Sequence, residues 1–228
     1  MRLPRVAAAV VVTLLVSAGA TLPAAAQVKK GAAASATPAE RPASAPATAA
    51  ASGNAVYAER FGSLCAACHG ANGRGDMAGT PVLAGQHSLY AITQLYLLRE
   101  GRRDNAAMVA VAKTMTDADL RGFSTFIGTL PPVPPAPPAE VPDAARMVKG
   151  QALAQEYKCL FCHGTALDGG QGVPRIGGQK EDYLRTVLHG YKTGDRPGYT
   201  RAMSEALSQV PAGDLDLLAY YAANLTGK

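Results

Sequence analysis

Apolar residues recur at helical spacing in two places, near the end of the chain and about ninety-five residues earlier. In both places they stand at positions i, i+3, i+7 and i+10, which lie on one face of an α-helix. The two sets are Leu120, Phe123, Ile127 and Leu130, and Leu215, Leu218, Ala222 and Leu225. The first set follows Thr116-x-x-Asp119, which is typical of a capping box at a helix N-terminus. Both sets therefore predict amphipathic helices that bury one face.

Two more helices are predicted upstream of the last helix in each half of the pattern. Residues 88–100 form one helix, which Gly101 ends, and residues 182–191 form its counterpart, which ends near Gly194. Shorter helices are expected at 54–64 and 144–158. No segment sustains the period-two alternation that a half-buried strand requires. The sequence therefore predicts an all-α fold without a sheet.

The N-terminus has the pattern of a secretory signal, predicted to span residues 1–26. Arg2 and Arg5 precede an uncharged apolar stretch, and three alanines at 24–26 provide an A-x-A cleavage site. Cleavage after Ala20 fits the pattern as well. An uncleaved anchor remains the alternative, because residues 6–26 carry no charge. In either case the body is exported to the periplasm, and in the second case it stays tethered to the inner membrane.

Two segments of biased composition separate the predicted folded bodies. Residues 27–53 are rich in Ala, Pro, Ser and Thr and cannot bury enough apolar surface to order themselves, which predicts a flexible, disordered tether. Residues 131–142 contain seven prolines, which favour a stiff polyproline II linker. The predicted folded bodies are 54–130 and 143–228.

The two bodies are an internal repeat. C-A-A-C-H-G at 65–70 returns as C-L-F-C-H-G at 159–164. Other residues align at shifts of 93 to 95, namely Pro81 with Pro174, Tyr90 with Tyr183, and Met108 with Met203. A duplication explains this pattern and predicts two tandem domains.

The positive charge of the chain is concentrated in its N-terminal quarter. The sequence has 22 Lys and Arg against 17 Asp and Glu, a net charge of +5. Residues 1–53 carry five basic groups and one acid, 54–130 carry seven and six, and 139–228 carry ten and ten. Because the folded bodies are nearly balanced, no basic face is left for phosphate, and the sequence predicts no nucleic-acid partner.

Both repeats carry C-x-x-C-H, the signature of covalent haem c attachment. The two thiols add to the vinyl groups of the haem, and the adjacent histidine is held under the iron as its proximal ligand. These residues are Cys65, Cys68 and His69 for one haem, and Cys159, Cys162 and His163 for the other. Since the motifs use every cysteine, follow an export signal and lie in matched repeats, the sequence predicts two haem c groups.

Other uses of the four cysteines fit the sequence less well. A zinc site requires its second cysteine pair about 15–20 residues after the first, whereas here the pairs are over ninety apart. A thioredoxin-type motif needs a βαβ context, and two local disulfides would make the adjacent histidines coincidental. His87 and His189 do not align with each other and are predicted as surface or packing residues.

Residues 54–228 resemble the dihaem class I cytochromes c of the cytochrome c4 type. The resemblance lies in C-A-A-C-H-G followed by Gly73 and Gly75, in P-x-L-A-G-Q at 81–86, and in a methionine before a capped C-terminal helix. It implies an all-α protein of two tandem class I cytochrome c domains, with two covalent haems that are each ligated by His and Met. It also implies electron transfer in the periplasm, often toward a terminal oxidase.

The sixth iron ligand must come from six methionines. Only Met108 and Met203 match each other, seven residues before the last-helix region of each repeat. Met115 aligns with Val210, which favours a core position. In the family that the sequence resembles, the distal methionine occupies this loop, so Met108 and Met203 are predicted as ligands. The alternative is two core methionines that align by coincidence.

The resemblance also implies a role for two prolines. Pro81 lies twelve residues after His69, and Pro174 lies eleven after His163. In class I cytochromes c a proline carbonyl near this spacing accepts the Nδ1–H of the proximal histidine, which orients the ring. Plain turn prolines are the alternative. Candidates for contact with the haem propionates are Arg74, Tyr90, Arg175 and Tyr183.

An iron ligated by His and Met has no vacant position, which predicts outer-sphere electron transfer rather than an enzyme. The leading hypothesis is a periplasmic dihaem carrier between a respiratory donor and an acceptor such as a terminal oxidase. A second is the electron-accepting subunit of a periplasmic dehydrogenase, and a third is a dihaem peroxidase-like enzyme. The expected partners are redox proteins, and membrane association is expected only if the N-terminal segment stays uncleaved.

Overall fold

The computed structural model describes three stretches of the chain, residues 47–133, 141–196 and 201–225. All three belong to one compact unit that spans residues 44–228. The described residues form helices and no strand, and their only β-feature is an isolated antiparallel bridge between Gly170 and Val173. The prediction of an all-α fold is therefore confirmed for this part of the chain.

The described helices form two sets of five that follow one another in the same order. The first half contains α1 (Ala47–Leu64), α2 (Ala66–His69), α3 (Ser88–Arg99), α4 (Ala106–Ala112) and α5 (Asp117–Ile127). The second half contains α6 (Ala144–Glu156), α7 (Cys159–His163), α8 (Glu181–Thr193), α9 (Ala202–Ser208) and α10 (Ala212–Asn224). None of these ten helices has both the length and the hydropathy of a membrane span.

Three predicted segments fall wholly or partly outside the described residues. They are the signal segment 1–26, the first part of the tether 27–53 and the centre of the linker 131–142. Helix α1 begins at Ala47, so the last seven residues of the predicted tether are helical. This stretch is rich in alanine, which has the highest intrinsic helix propensity, and that preference favours extension of α1 toward the N-terminus.

Each half buries the predicted apolar face of its last helix. In the first half α5 packs against α1 and α3, and in the second half α10 packs against α6 and α8. The buried residues of the two faces are Leu120, Phe123 and Ile127, and Leu215, Leu218 and Ala222. Leu130 and Leu225 are partly buried against the same cores. Both amphipathic helices are thus confirmed, and each half has a core of its own.

The predicted capping box opens helix α5. The Thr116 hydroxyl accepts a hydrogen bond from Asp119 N at 3.2 Å, and the Asp119 carboxylate accepts one from Thr116 N at 2.9 Å. Asp119 also accepts hydrogen bonds from the Tyr57 hydroxyl, at 3.2 Å, and from the Arg60 guanidinium. Helix α1 is therefore joined to the start of α5 by polar contacts as well as by core packing.

Glycines let the first and last helices of each half cross closely. In the second half a Cβ at Gly150 of α6 would lie 2.5 Å from Tyr221 Cβ and 2.9 Å from Leu217 O, both on α10. In the first half a Cβ at Gly122 of α5 would overlap the ring of Tyr57 on α1. These crossings position the C-x-x-C-H motif that follows the first helix of each half.

The two halves meet through a pair of glutamines at equivalent positions. Gln86 Nε2 donates to Arg175 O at 3.1 Å, and Gln86 Oε1 accepts from Arg175 N at 3.0 Å. Gln179 makes the same two bonds to Val82, at 3.0 Å to the carbonyl oxygen and 2.8 Å from the amide nitrogen. Gln179 follows Gln86 by 93 residues and Arg175 follows Val82 by 93, so the contact is reciprocal.

A second pair of reciprocal contacts flanks the glutamines. His87 Nε2 donates to Asp168 O at 2.8 Å, and Lys180 Nζ donates to Gly75 O at 2.8 Å. Lys180 follows His87 by 93 residues, and Asp168 stands next to Gly169, which is the counterpart of Gly75 in the second half. Each half thus binds the loop that follows the C-x-x-C-H motif of the other half, which places both motif loops at the boundary between the halves.

Candidate functional site

Helices α2 and α7 carry the two C-x-x-C-H motifs. Each ends at a glycine in the left-handed region, with φ of 75° at Gly70 and 77° at Gly164. In both motifs the first cysteine is half-buried, the second is exposed, and the histidine is buried with 5% of its surface exposed. None of the four cysteines forms a disulfide. Burial raises the pKa of the Cys65 thiol to about 11 and also raises the pKa of Cys159.

The buried histidine of each motif donates a hydrogen bond to a proline carbonyl. His69 Nδ1 lies 3.1 Å from Pro81 O, and His163 Nδ1 lies 3.0 Å from Pro174 O. Because a carbonyl oxygen only accepts, Nδ1 carries the proton and Nε2 keeps a free lone pair. Burial lowers the pKa of both rings, although the bond to the proline carbonyl acts in the opposite direction. Both histidines are therefore neutral at pH 7, the form that ligates a metal.

Glycines bring each proline carbonyl within reach of its histidine. A Cβ at Gly75, where φ is 74°, would lie 2.9 Å from Pro81 O. A Cβ at Gly169, where φ is 68°, would lie 2.6 Å from Pro174 O. The loop after each motif therefore needs glycine at this position, both for its backbone conformation and for the close approach of the carbonyl.

A cavity of about 310 Å³ extends through the interior between the two motifs. Its wall includes predicted site residues from both halves, namely Cys65, Cys68, His69, Pro81, Met108, Cys159, His163, Pro174 and Met203. Most of the remaining wall is apolar and comes from core residues of α3, α5, α8 and α10. The fold thus brings the four predicted iron ligands to one shared interior, whereas Cys162 is exposed on α7 and is not part of the cavity wall.

Met108 and Met203 lie on short helices that the sequence did not predict. Met108 is on α4, which Asn105 caps with a 2.9 Å hydrogen bond from Met108 N, and Met203 is on α9. Both side chains are partly buried against the core of their half. Met115 and its counterpart Val210 also line the cavity and are more deeply buried, at 6% and 1% exposed. In the described residues, the first half therefore has two thioethers on the cavity wall and the second half has one.

A polar cluster lies at the boundary between the halves, and two of its residues, Gln94 and Arg103, escaped sequence-based prediction. Arg103 Nη2 donates to Tyr183 OH at 2.9 Å, and Arg103 Nη1 donates to Gln94 Oε1 at 3.0 Å. These three residues line the cavity together with Tyr90, whose pKa is raised above its usual range by burial. Arg103 and Arg196 are 93 residues apart, as are Tyr90 and Tyr183. The interval of 93 residues, which the arginines share with the tyrosines, is the sequence feature that could have identified both arginines.

The residues of the cavity fit a covalently attached haem. Neutral imidazole and thioether are ligands that haem iron takes in cytochromes c, and the apolar wall suits a macrocycle. Among the described residues, four buried donor atoms have no hydrogen-bond partner. Gln94 Nε2 and Arg103 Nε belong to the cavity wall, whereas Arg74 Nε and Arg196 Nη2 lie outside it. Such donors match the carboxylates that a haem carries. Of the propionate candidates named from the sequence, Tyr90, Arg175 and Tyr183 line the cavity, and Arg74 supplies one of the unpartnered donors.

The two remaining histidines make contacts outside the cavity wall. His87 binds Asp168 O across the boundary between the halves. His189 Nε2 lies 3.1 Å from Asp216 Oδ1, and Arg185 binds the other oxygen of that carboxylate at 3.0 Å. These contacts agree with the prediction that both histidines are surface or packing residues.

Known proteins are similar to this chain in sequence and in fold. The family described as Cytochrome c matches residues 50–131. A cytochrome c4 of Thiocapsa roseopersicina is 30% identical over 154 residues, which cover 64% of this chain and 80% of that protein. The structure of reduced recombinant cytochrome c4 from Pseudomonas stutzeri superposes with a TM-score of 0.67 at 24% identity, over 75% of this chain and 98% of that one. The structural likeness concerns the fold.

A further relative carries a more specific name. The thiosulfate dehydrogenase electron acceptor of Thiomonas intermedia (strain K12) is 34% identical over 143 residues. The match covers 59% of this chain and 65% of that protein, so about a third of the relative has no counterpart in it.

Proposed function

The chain belongs to the cytochrome c4 family of electron-transfer cytochromes, and on this premise we propose that it is a periplasmic carrier with one haem c in each half. Electrons pass from a respiratory donor to an acceptor such as a terminal oxidase. The proposal rests on one arrangement of side chains that occurs in both halves. Each half contains a C-x-x-C-H turn, a buried neutral histidine bound to a proline carbonyl, and a methionine on the same cavity wall.

In this proposal the side chains have distinct tasks. The cysteines of each motif hold the haem through thioether bonds. His69 and His163 provide Nε2 to the iron, and their Nδ1–H bonds to Pro81 and Pro174 fix the ring orientation and strengthen the donor. Met108 and Met203 provide the sixth ligand. When bound, the haem supplies the one-electron Fe(II)/Fe(III) couple, and a thioether ligand raises its potential.

The exposure of the motifs supports electron exchange at the surface. Cys68 and Cys162 are exposed, whereas His69 and His163 are buried. The second cysteine of each motif would therefore hold the haem from a solvent-exposed position, while the histidine would hold it from the buried interior. A partner protein then needs only to approach this edge, and no substrate has to enter the cavity.

A near-infrared spectrum of the exported ferric holoprotein, quantified per haem, tests the proposal. The sulfur-to-iron charge-transfer band reports methionine ligation, and we expect two equivalents per chain. Met108→Ala and Met203→Ala should each remove one equivalent. Met77→Ala is the matched control, because Met77 is 52% exposed and stands apart from the cavity wall, and it should keep both bands.

The outcome of this spectrum also separates the proposal from its alternatives. Loss of a band in Met115→Leu but not in Met108→Ala would assign the first-half ligand to Met115. A single band, or none, would mean an iron that is open or that has a ligand other than methionine. Peroxide turnover without a partner protein would then replace the carrier by the peroxidase hypothesis.

The similarity to the thiosulfate dehydrogenase electron acceptor favours a second candidate function. In this version the chain is the electron-accepting subunit of a periplasmic dehydrogenase that oxidises a sulfur compound. Stopped-flow reduction of the ferric holoprotein by a purified thiosulfate dehydrogenase and thiosulfate distinguishes the two. Rapid reduction that saturates with dehydrogenase concentration supports the subunit, whereas reduction no faster than that of an unrelated cytochrome c supports the general carrier.

A further inference from the structure

Arg103 is held rigidly at the boundary between the halves. The chain turns at Gly101, where φ is 65°, and Arg103 N then donates to Leu97 O at 3.1 Å. Its side chain spans from the first half to the second, with Nη1 on Gln94 Oε1 and Nη2 on Tyr183 OH. Contacts with Leu97, Gln94 and Tyr183 thus fix the position of the guanidinium even without a bound ligand.

The guanidinium of Arg103 has no anionic partner among the described residues. None of their salt bridges includes it. Its Nε is buried and unpartnered, and so is Nε2 of Gln94, a residue that is only 7% exposed. Buried polar groups of this kind are rare in folded proteins, because a buried donor without a partner has lost its hydrogen bonds to water and gained none in return. Two donors and a positive charge therefore converge on the same wall of the cavity.

The equivalent position of the second half is built differently. Arg196 stacks on the ring of Tyr191, with 5.4 Å between the guanidinium carbon and the ring centroid, and its buried Nη2 is unpartnered. Gln94 aligns with Val187, which has no donor. The convergent pair of donors is therefore a property of the first half, completed by one side chain of the second half, Tyr183.

We propose that Arg103 and Gln94 form a carboxylate-binding site for the haem of the first half, and that Tyr183 of the second half orients Arg103 in it. The carboxylate accepts hydrogen bonds from Arg103 Nε and Gln94 Nε2, and the guanidinium neutralises its charge. The ligand is thus a propionate of the haem, and the site is complete only when the two halves are packed together. This inference rests on the proposed function, since it requires a haem in the first half.

The site predicts an asymmetry between the two haems. Without Arg103 the carboxylate of the first haem keeps an uncompensated negative charge, which favours Fe(III) over Fe(II). Arg103→Gln should therefore lower the midpoint potential of one haem and leave that of the other nearly unchanged. We expect at least a tenfold change in the Fe(II)/Fe(III) ratio at fixed potential, which corresponds to about 59 mV for a one-electron couple.

Resonance Raman spectroscopy of the holoprotein tests the site directly, because the propionate bending band reports hydrogen bonding to the haem carboxylates. Because two haems carry four propionates in all and the site binds one of them, about a quarter of the band intensity should shift in Arg103→Gln and in Gln94→Leu. Tyr183→Phe should shift the same component by a smaller amount, because it releases the guanidinium without removing it. Arg103→Lys keeps the charge but loses Nε, so it should shift the band while largely retaining the potential.

Two matched controls accompany these variants. Arg102→Gln removes the same charge from the neighbouring residue, which is exposed. Tyr96→Phe removes a hydroxyl from α3 at a position that is 42% exposed. Neither should move the band or either potential appreciably.

Three results would overturn the proposal. The first is an unchanged propionate band in Arg103→Gln, and the second is a shift of both haems alike. The third is a potential shift in Arg102→Gln as large as that in Arg103→Gln, which would mean a general charge effect. If the Arg103→Gln variant does not incorporate its haems, the propionate band of Arg103→Lys and of Gln94→Leu tests the proposal instead. Two haems and two sulfur bands in the unaltered protein would still support the carrier function in each case.

Discussion

Gln86 and Gln179 occupy equivalent positions of the repeat, and each binds the main chain of the opposite half through both atoms of its amide. Both side chains are 7% exposed. An amide that donates and accepts at once matches one peptide N–H and one C=O of an extended segment. The duplicated sequence therefore folds into two halves that hold each other by the same contact, used twice.

Replacing Gln86 with alanine removes both hydrogen bonds to Arg175. Since a lost partner at a largely buried site costs about 1–3 kcal/mol, we expect Gln86→Ala to lower the free energy of unfolding by an amount in that range. Guanidinium denaturation of the holoprotein, followed by circular dichroism, measures the change. Gln151→Ala is the control, because Gln151 is exposed on α6. Equal losses in the two variants would contradict a role for the contact.

Gly75 controls how closely the Pro81 carbonyl approaches His69. In Gly75→Ala the new Cβ would stand 2.9 Å from Pro81 O and 2.8 Å from Thr80 O, so the carbonyl has to move. A weaker bond to Nδ1–H makes the imidazole a poorer donor, which favours Fe(II). We therefore expect the midpoint potential of one haem to rise, as measured by spectroelectrochemical titration.

Gly79→Ala separates this effect from ordinary backbone strain. Gly79 also has a positive φ, 70°, but nothing lies within 4 Å of its added Cβ. Both variants should lose stability from the unfavourable backbone conformation, by about 1 kcal/mol or more. Only Gly75→Ala should shift the potential, and a shift in both would trace it to strain rather than to the proline carbonyl.

The crossing of α6 and α10 predicts a severe effect at Gly150. Its Cβ would meet Tyr221 Cβ and a main-chain oxygen of α10, neither of which yields by a rotamer change. Overpacking of this kind costs about 1–3 kcal/mol or more, and Gly150→Ala should lower the melting temperature accordingly. Gly213→Ala, on α10 where no atom lies within 4 Å, should instead stabilise by up to about 1 kcal/mol. Thermal melting that ranks the two variants in the opposite order would refute the close crossing.

Asp119 should make stability depend on pH in the acid range. The hydrogen bonds from the Arg60 guanidinium and from Thr116 N hold the pKa of this carboxyl well below its usual range. A folded pKa below the unfolded value means that the ionised carboxylate stabilises the fold. The contribution is fully present above the unfolded pKa of about 3.9 and is lost as the pH falls through the folded pKa.

Asp119→Asn tests this dependence. At pH 7 it should lower the free energy of unfolding by about 1–2 kcal/mol, the usual size of a lost helix cap. Below about pH 4 the difference between the variant and the unaltered protein should shrink. Thermal melting of both at pH 7 and pH 3 measures it, with the exposed Asp104→Asn as control. A difference that is the same at both pH values would assign the effect to packing instead of charge.

Local features of this protein were predictable because their determinants lie close together in the chain. The C-x-x-C-H motifs form single helical turns, so their spacing alone places two thiols and a histidine together. The periodicity of the last helix of each half specified its buried face, and Thr116 and Asp119 specified its start. The repeat then singled out Met108 and Met203, although the two short helices that carry them left no recognisable periodicity over seven residues.

Only the tertiary structure shows how the two halves pack against each other. Arg103 contacts Tyr183 eighty residues away, and Gln86 contacts Arg175 eighty-nine residues away. Such contacts join one polar side chain to a distant hydroxyl or peptide group, and no periodic pattern in the sequence records them. The sequence indicated two bodies and a linker, because composition and periodicity report on each element separately. The two motif loops lie at the boundary between the halves, around one interior. Their position results from packing between the halves, which depends on the whole fold.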